Sequence, residues 1–216
     1  MDRFKTLKDH VYEYIAAQIR AGSLTPGERI NENIICEELN ISRTPVREAL
    51  IQLTAEGVLE NKARKGFVIR PMREEDVKEI YKVIGLLDGY AAKEACSSLT
   101  KQDLADMSFY IDTIDLAIKS GNFEMYHKQQ ETFHNLYINK CGNRILIDTI
   151  RQTKSKLFSR TYTDDAEGKT RQVLYDTNAE HREILRLFEA KDTQGLFTYL
   201  SETHWTPAYA AFDVIV

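Results

Sequence analysis

Along the first seventy residues, apolar positions recur at helical spacing in three separate runs. Leu7, Val11, Ile15 and Ile19, with Tyr14 beside them, predict a helix over residues 4–21 that Gly22 stops. The stretch Leu24-Thr25-Pro26-Gly27-Glu28-Arg29-Ile30 carries turn chemistry, and Asn31 is placed to cap a short helix, about 32–39, bearing Ile34, Ile35 and Leu39. Asn40-Ile41-Ser42 is long enough only for a tight turn. Ser42 is the predicted cap of a third helix whose apolar face is Val46, Leu50 and Leu53 and which ends at Gly57. Two helices joined by three residues make a helix-turn-helix. Beyond Gly57 the period changes to that of strands: Val58-Leu59-Glu60 and Phe67-Val68-Ile69 flank Asn61-Lys62-Ala63-Arg64-Lys65-Gly66, a hairpin with a basic tip. The three helices and this wing form a winged helix-turn-helix.

Pro71 closes that part, and the domain boundary is expected near residue 72, dividing the chain into 1–72 and 73–216. From there the apolar period is helical throughout. Val77, Ile80, Tyr81, Ile84, Leu87 and Ala91 form one helix face; Leu104, Met107, Ile111, Ile114 and Ile118 form the next, opened by the capping pair Thr100/Asp103 and closed at Gly121. Further helices are predicted near 123–141, 144–162, 171–190 and 193–210, separated by Gly142, the loop 163–170 and the Lys191-Asp192 turn. The expected fold is mostly α: a winged helix-turn-helix joined to an all-helical bundle of about six helices.

Composition narrows the class. Of the 216 residues 43% are apolar and 29% charged, so the chain is globular and not disordered. Three cysteines far apart, Cys36, Cys96 and Cys141, build neither a disulfide framework nor a zinc ribbon, and read as small core residues in a reducing cytoplasm. The opening residues lack the apolar centre of a signal peptide and no long apolar run occurs, so a cytoplasmic location with no membrane partner is expected. The net charge of −4 is uneven: residues 1–70 hold 11 Lys and Arg against 10 Asp and Glu, while the remainder holds 18 against 23. Within 43–70, six cations (Arg43, Arg47, Lys62, Arg64, Lys65, Arg70) face three anions. A polyanion is therefore sought there.

In Ser42-Arg43-Thr44-Pro45-Val46-Arg47-Glu48-Ala49-Leu50, Arg43 and Arg47 are four residues apart on the face opposite Val46 and Leu50. An Arg fork matches both the guanine O6/N7 edge and phosphate oxygens, and Thr44 at the helix start can donate to a phosphate. Lys65 and Gly66 at the wing tip suit a minor groove, the first by charge and the second by letting backbone approach. The run from Pro26 to Ile69, with its PG, SRTPVREAL, LxxEG and RKG elements, resembles the amino-terminal winged helix of the GntR family of bacterial transcription regulators, over roughly residues 5–71. That resemblance implies operator contacts by Arg43, Thr44, Arg47 and Gly66, and assigns one more to Asn33, where relatives often carry Arg.

Three of the five histidines, His134, His181 and His204, fall on three different predicted helices of the bundle, an arrangement able to coordinate a metal. Residues 74–211 are similar to the FCD effector domain of the FadR-type branch. Its metal-binding members carry D-x-x-F-H, then a His in an EHR-like run, then a His on the last helix. Here these are Gln130 to His134, Glu180-His181-Arg182, and His204. The aspartate position holds Gln130, so the resemblance implies three His, or three His plus Gln130, around a divalent transition metal, zinc or nickel-like. The Arg and Glu that the family places on the first helix of this domain are here Ile84 and Asp88. Arg160 is the remaining cation assigned to an effector pocket.

These features together predict a homodimeric repressor that is not an enzyme. It would read a pseudo-palindromic operator through two third helices and be controlled by a small-molecule effector, expected to be a carboxylate. A second reading keeps the regulator and makes the metal structural or absent, with direct effector binding. A metal-dependent enzyme is disfavoured: no carboxylate stands out as a general base for the three His, and no nucleophile elbow or phosphate loop occurs.

Overall fold

The computed structural model describes residues 6–20, 23–157 and 168–207. Contacts divide the chain into two units, the first running through Val77 with a short piece beginning at Lys154 counted to it, the second starting at Lys78. That division falls in the first turn of a helix, a few residues beyond the expected boundary.

In the first unit, α1 (Leu7–Arg20) opens with a reciprocal cap between Thr6 and Asp9: both the Thr6 backbone and hydroxyl donate to Asp9 Oδ2, and the Asp9 amide donates back. Val11, Ile15 and Ile19 are buried, whereas Leu7 stays exposed at the helix start. Asn31 caps α2 (Glu32–Leu39) through its side chain, and Asn40 ends it in the left-handed region at φ 52°. Of the expected apolar residues of α2, Ile35 is buried and Ile34 is exposed. In α3 (Arg43–Ala55), Val46, Ala49, Leu50 and Leu53 pack inward. Ser42 has the extended backbone of a cap, but its hydroxyl makes no capping bond. Gly57, two residues past the helix, takes φ +79°, which turns the chain into the hairpin.

Strands β1 (Leu59–Lys62) and β2 (Gly66–Ile69) pair antiparallel with Leu59 opposite Ile69 and Lys62 opposite Gly66. The segment expected only to turn at Gly27–Ile30 also joins this sheet: Gly27 donates to Ile69, Ile30 donates to Phe67, and Arg29 bridges Val68. A one-residue bridge has no period for sequence reasoning to detect. One core of Val11, Ile15, Ile35, Val46, Leu50, Leu53, Leu59 and Phe67 joins the three helices to the wing.

The second unit consists, among the described residues, of α4 (Glu74–Ala95), α5 (Lys101–Ser120), α6 (Phe123–Ile138), α7 (Arg144–Lys154), α8 (Lys169–Glu189) and α9 (Thr193–Tyr199). The Thr100/Asp103 capping box forms, and Lys140 from the end of α6 adds an ion pair to Asp103 at 2.6 Å. Lys140 and the two Thr100 bonds hold the Asp103 carboxyl down to about 2. Gly121 closes α5 in the left-handed region, as predicted. Cys96 and Cys141 are buried free thiols, while Cys36 in the first unit is half-buried.

Two helices differ from the period-based reading. The one expected over 144–162 is α-helical only to Lys154 and then tightens into a 3₁₀ turn at Ser155–Leu157; residues 158–162 lie outside the described residues. The one expected over 193–210 is α-helical to Tyr199 and then widens into a π-helical turn, Leu200–His204, with residues 208–210 outside the described residues. A π turn inserts one residue into the ladder and re-aims the side chains after it.

Two glycines let α4 approach this last segment closely. A Cβ on Gly89 would lie 2.8 Å from the Phe197 carbonyl oxygen, and one on Gly85 would lie 3.2 Å from Ser201 backbone and Trp205 Cβ. Both backbones would have to move apart to admit a methyl group. Gly89→Ala is therefore expected to destabilise the protein by about 1–3 kcal/mol despite the better helix propensity of Ala. Urea unfolding checks this, and a gain in stability would contradict it.

Candidate nucleic-acid interface and metal centre

The first turns of α3 present Arg43, Thr44 and Arg47 to solvent, because Val46, Ala49 and Leu50 on the other side are buried in the core. Lys65 is exposed in the wing turn, and Gly66 starts β2 at φ +77°, a conformation that a side chain rarely adopts. Asn33, on α2, has a role that sequence reasoning did not assign. Its Oδ1 accepts from Arg43 Nε at 2.9 Å and Nη2 at 2.6 Å. One edge of the Arg43 fork is thereby held, leaving the Nη1 side of the guanidinium directed elsewhere. The Asn33 side chain braces Arg43 and, through its amide nitrogen, keeps a donor for the operator contact that the resemblance implied.

In the second unit, His134 of α6, His181 of α8 and His204 of the π turn meet in the interior. Their ring centroids are 5.2, 5.0 and 4.9 Å apart, a nearly equilateral triangle, and each ring is at most 6% exposed. One nitrogen from each lies within 4.8 Å of the others. It is the one group of three or more metal-ligating side chains found among the described residues, and His10 and His127 are not in it.

The outer nitrogens fix how the three rings point. Tyr137 donates its proton to Asp88 Oδ1 at 2.8 Å, so it accepts from His134 Nδ1 at 2.6 Å, with Asp88 Oδ2 a further 3.2 Å acceptor. Burial and the neighbouring Asp88 raise the Tyr137 phenol well above its ordinary range, which keeps it a donor. Asn178 spends its amide hydrogens on the Ile111 carbonyl and Asp115, so its Oδ1 is the atom facing His181 Nδ1 at 3.1 Å. Glu180 accepts from His204 Nδ1 at 2.8 Å. Each Nδ1 therefore faces an acceptor, which makes Nε2 the nitrogen that could coordinate an ion.

The His134 and His204 Nε2 atoms lie 3.1 Å apart, an arrangement in which two bare lone pairs would face one another. Such a pair is repulsive unless a proton or a metal cation lies between the rings. Two imidazoles bound at about 2.1 Å to one ion stand about 3.0 Å apart at right angles and about 3.4 Å at the tetrahedral angle, so the spacing of this pair fits a metal. Outer partners on Nδ1, two of them carboxylates, are the second layer that metal-binding imidazoles require. The residues present fit a divalent ion with nitrogen preference.

Sequence reasoning brought the three His together and missed what orients them. Asp88 is fully buried, and besides Tyr137 and His134 it accepts from Trp205 Nε1 at 2.8 Å. The signal for it was present: Asp88 continues the buried Ile84 stripe of α4 and is followed by buried Ala91 and Ala92, and a carboxylate on a buried stripe needs donors. Tyr137 and Asn178 stand three residues from His134 and His181, one helical turn away. Gln130 is half-buried one turn before His134 on α6. Arg160 lies outside the described residues.

Residues 7–69 match the family described as "Bacterial regulatory proteins, gntR family", and residues 79–203 match the FCD domain. The chain is 34% identical to the Nta operon transcriptional regulator of Aminobacter aminovorans over 61% of this chain, spanning 62% of that protein's length. It is 29% identical to the HTH-type transcriptional regulator YdhC of Bacillus subtilis over 90% of this chain and 88% of the relative. Among solved structures, Escherichia coli McbR/YncC shares the fold at a TM-score of 0.76 and 23% identity, covering 92% of this chain and 93% of that one. Among the described residues no helix is long and apolar enough to cross a membrane. A winged helix with an arginine-bearing third helix, followed by an FCD domain that makes up more than half of the chain, places this protein in the GntR family, FCD branch, as a DNA-binding transcription regulator and not an enzyme.

Proposed function

We propose that this regulator is a cytoplasmic homodimeric repressor whose grip on a pseudo-palindromic operator is set by a small carboxylate effector bound at a metal in the FCD domain. The DNA-reading part ends near residue 72, with Asn33 of α2, Arg43, Thr44 and Arg47 of α3 and Lys65 and Gly66 of the wing at the DNA. His134, His181 and His204 hold a zinc- or nickel-like ion, with Gln130 as the fourth protein ligand. The observation that carries the metal is the meeting of one ring nitrogen from each of the three buried His, since a shared proton serves two rings and an ion serves three. A bound divalent ion would supply positive charge and open coordination positions for a carboxylate. The chain's own residues fix the rings, exclude water around them and orient the site through Asp88, Asn178 and Glu180.

Trp205 is the sole tryptophan, and its ring centroid is 5.5 Å from His204. Titrating metal-free protein with Ni²⁺ or Cu²⁺ should therefore quench its fluorescence saturably at one ion per chain. No quenching, or several ions per chain, would sink the metal reading. Operator affinity measured with and without small carboxylates, before and after metal removal, tests the control.

One feature favours a structural ion as a second reading. The three imidazoles are almost fully buried and a neutral amide stands at the aspartate position. In that case metal removal lowers the melting temperature and leaves effector affinity unchanged.

At the DNA, Arg47→Ala should cost about 1–3 kcal/mol of operator binding with the fold intact. Asn33→Ala should lower the preference for operator over unrelated DNA while leaving the salt dependence unchanged, because no charge is removed. Gel-shift or anisotropy titrations at several salt concentrations check both, and a changed salt slope for Asn33→Ala would make Asn33 more than a brace.

A further inference from the structure

Two of the three imidazoles have a carboxylate directly on their outer nitrogen, and the third has one at a single remove. Asp88 and Glu180 lie 3.2 and 2.8 Å from the Nδ1 atoms of His134 and His204. His181 Nδ1 faces instead the side-chain oxygen of Asn178 at 3.1 Å. On its far side the same amide donates to Asp115 Oδ1 of α5 at 2.7 Å, so the order is carboxylate, amide, imidazole. Asn178 and His181 are fully buried, whereas the Asp115 side chain is 34% exposed. This line of hydrogen bonds therefore runs from the protein surface to the histidine cluster.

Asp115 grips one turn of α8 with both oxygens. Its Oδ1 takes Asn178, and its Oδ2 takes the guanidinium of Arg182, four residues on and on the same face. The amide cannot turn over without loss: its two hydrogens go to Asp115 and to the Ile111 carbonyl, and a flipped amide would set its oxygen against both of those oxygens. A hydrogen bond to a charged acceptor is about twice as strong as a neutral one, and bonds in a chain polarise one another. The Asp115 charge thus makes Asn178 Oδ1 a better acceptor for the Nδ1 hydrogen of His181, which in turn makes Nε2 a stronger ligand.

We propose that Asp115 is a positioning residue for His181: it is the third outer carboxylate of the histidine cluster, acting through the Asn178 amide and held in place by Arg182. This rests on the metal reading above and adds the residue that tunes one ligand from the protein surface. The rival role is plain pinning of α5 to α8. Asp115→Asn separates the two, because it keeps the shape and an acceptor oxygen while removing the charge.

Ni²⁺ titration of the full-length, metal-free protein, read by Trp205 fluorescence, tests this. Asp115→Asn is expected to weaken Ni²⁺ binding by about tenfold, the lower end of the range for outer partners of metal ligands. Asn178→Leu should weaken it by about tenfold or more, and adding Asp115→Asn to Asn178→Leu should weaken it no further, since the line is already cut. Asp112→Asn removes the same charge from an exposed position of α5 and should change nothing. Unchanged Ni²⁺ affinity in Asp115→Asn, an equal loss in Asp112→Asn, or losses that multiply in the double variant overturn the role of Asp115 while the metal site stands. In metal-free ¹⁵N-labelled protein the His181 Nδ1 proton should move upfield and exchange faster with water in Asp115→Asn. A wild type that binds no Ni²⁺ overturns the metal reading, and the proton signal then decides alone: unchanged in Asp115→Asn, it overturns the role of Asp115 as well. Should Asn178→Leu fail to fold, the single Asp variants and the proton signal decide.

Discussion

His181→Ala is expected to empty the metal centre. Two of the three converging imidazoles would remain, His134 and His204, and a pair at 3.1 Å can be satisfied by a shared proton with no metal at all. Removing an outer partner of a ligand costs about 10–100-fold in metal affinity, and removing a ligand should cost at least the upper end of that range. Elemental mass spectrometry on protein never exposed to chelator or affinity metal should therefore fall from about one ion per chain to near none. The Ni²⁺ quenching of Trp205 should shift by about 100-fold or more. A bound ion present at a thousand times its dissociation constant stabilises the folded state by about 4 kcal/mol, so the metal-dependent rise in melting temperature should also disappear. Operator binding without effector should survive, because α3 and the wing have their own core. Full occupancy in the variant would mean that the ion sits elsewhere.

Asp88→Ala is expected to destabilise the protein more than any other single change in the bundle, by about 3–5 kcal/mol. The carboxylate is fully buried and accepts from Tyr137 and His134 of α6 and from Trp205 just after the π turn. Truncation leaves those donors facing an apolar cavity, and each unsatisfied buried polar group costs about 1–3 kcal/mol. Total stability of a domain is only about 5–15 kcal/mol, so the loss should be plain in urea unfolding. Trp205 reports it directly, since its indole N–H loses its acceptor. Tyr137→Phe removes one bond and leaves the others, and should cost about 1 kcal/mol. Equal costs for the two variants would mean that Asp88 matters only through Tyr137.

The two predictions meet in the π turn. Leu200–His204 holds both His204, which faces the other imidazoles, and the chain just before Trp205, which reaches Asp88. Continued α-helical geometry after Tyr199 would rotate both residues away from these directions, since a π turn displaces everything after it by one position on the helical wheel. Periodicity over 193–210 reads as one helix because the pattern of apolar residues is too short there to register a single inserted position.

The elements themselves were legible where local chemistry decides them. Asn31, Thr100/Asp103, Gly57 and Gly121 mark helix ends because a cap bonds within three residues of its own position. The faces of α3 and α5 follow from spacing alone, and so did the exposure of Arg43 and Arg47. Ser42 shows the limit, since the right residue at the right place makes no side-chain bond.

By itself, the sequence determined a winged helix ahead of a helical bundle, the arginine face of the third helix, and three histidines on three helices, because helix period, turn residues and motif spacing are properties of neighbours along the chain. Only the tertiary structure decided that Asn33 braces Arg43, that Asp88 joins Tyr137, Trp205 and His134, and that Asn178 and Glu180 fix the tautomers of the other two rings. Each of those bonds except the ones between residues on one helical turn joins segments far apart in sequence or set by a turn. Their partners are chosen by packing and by the need of a buried polar group for a donor or acceptor, which no local pattern records.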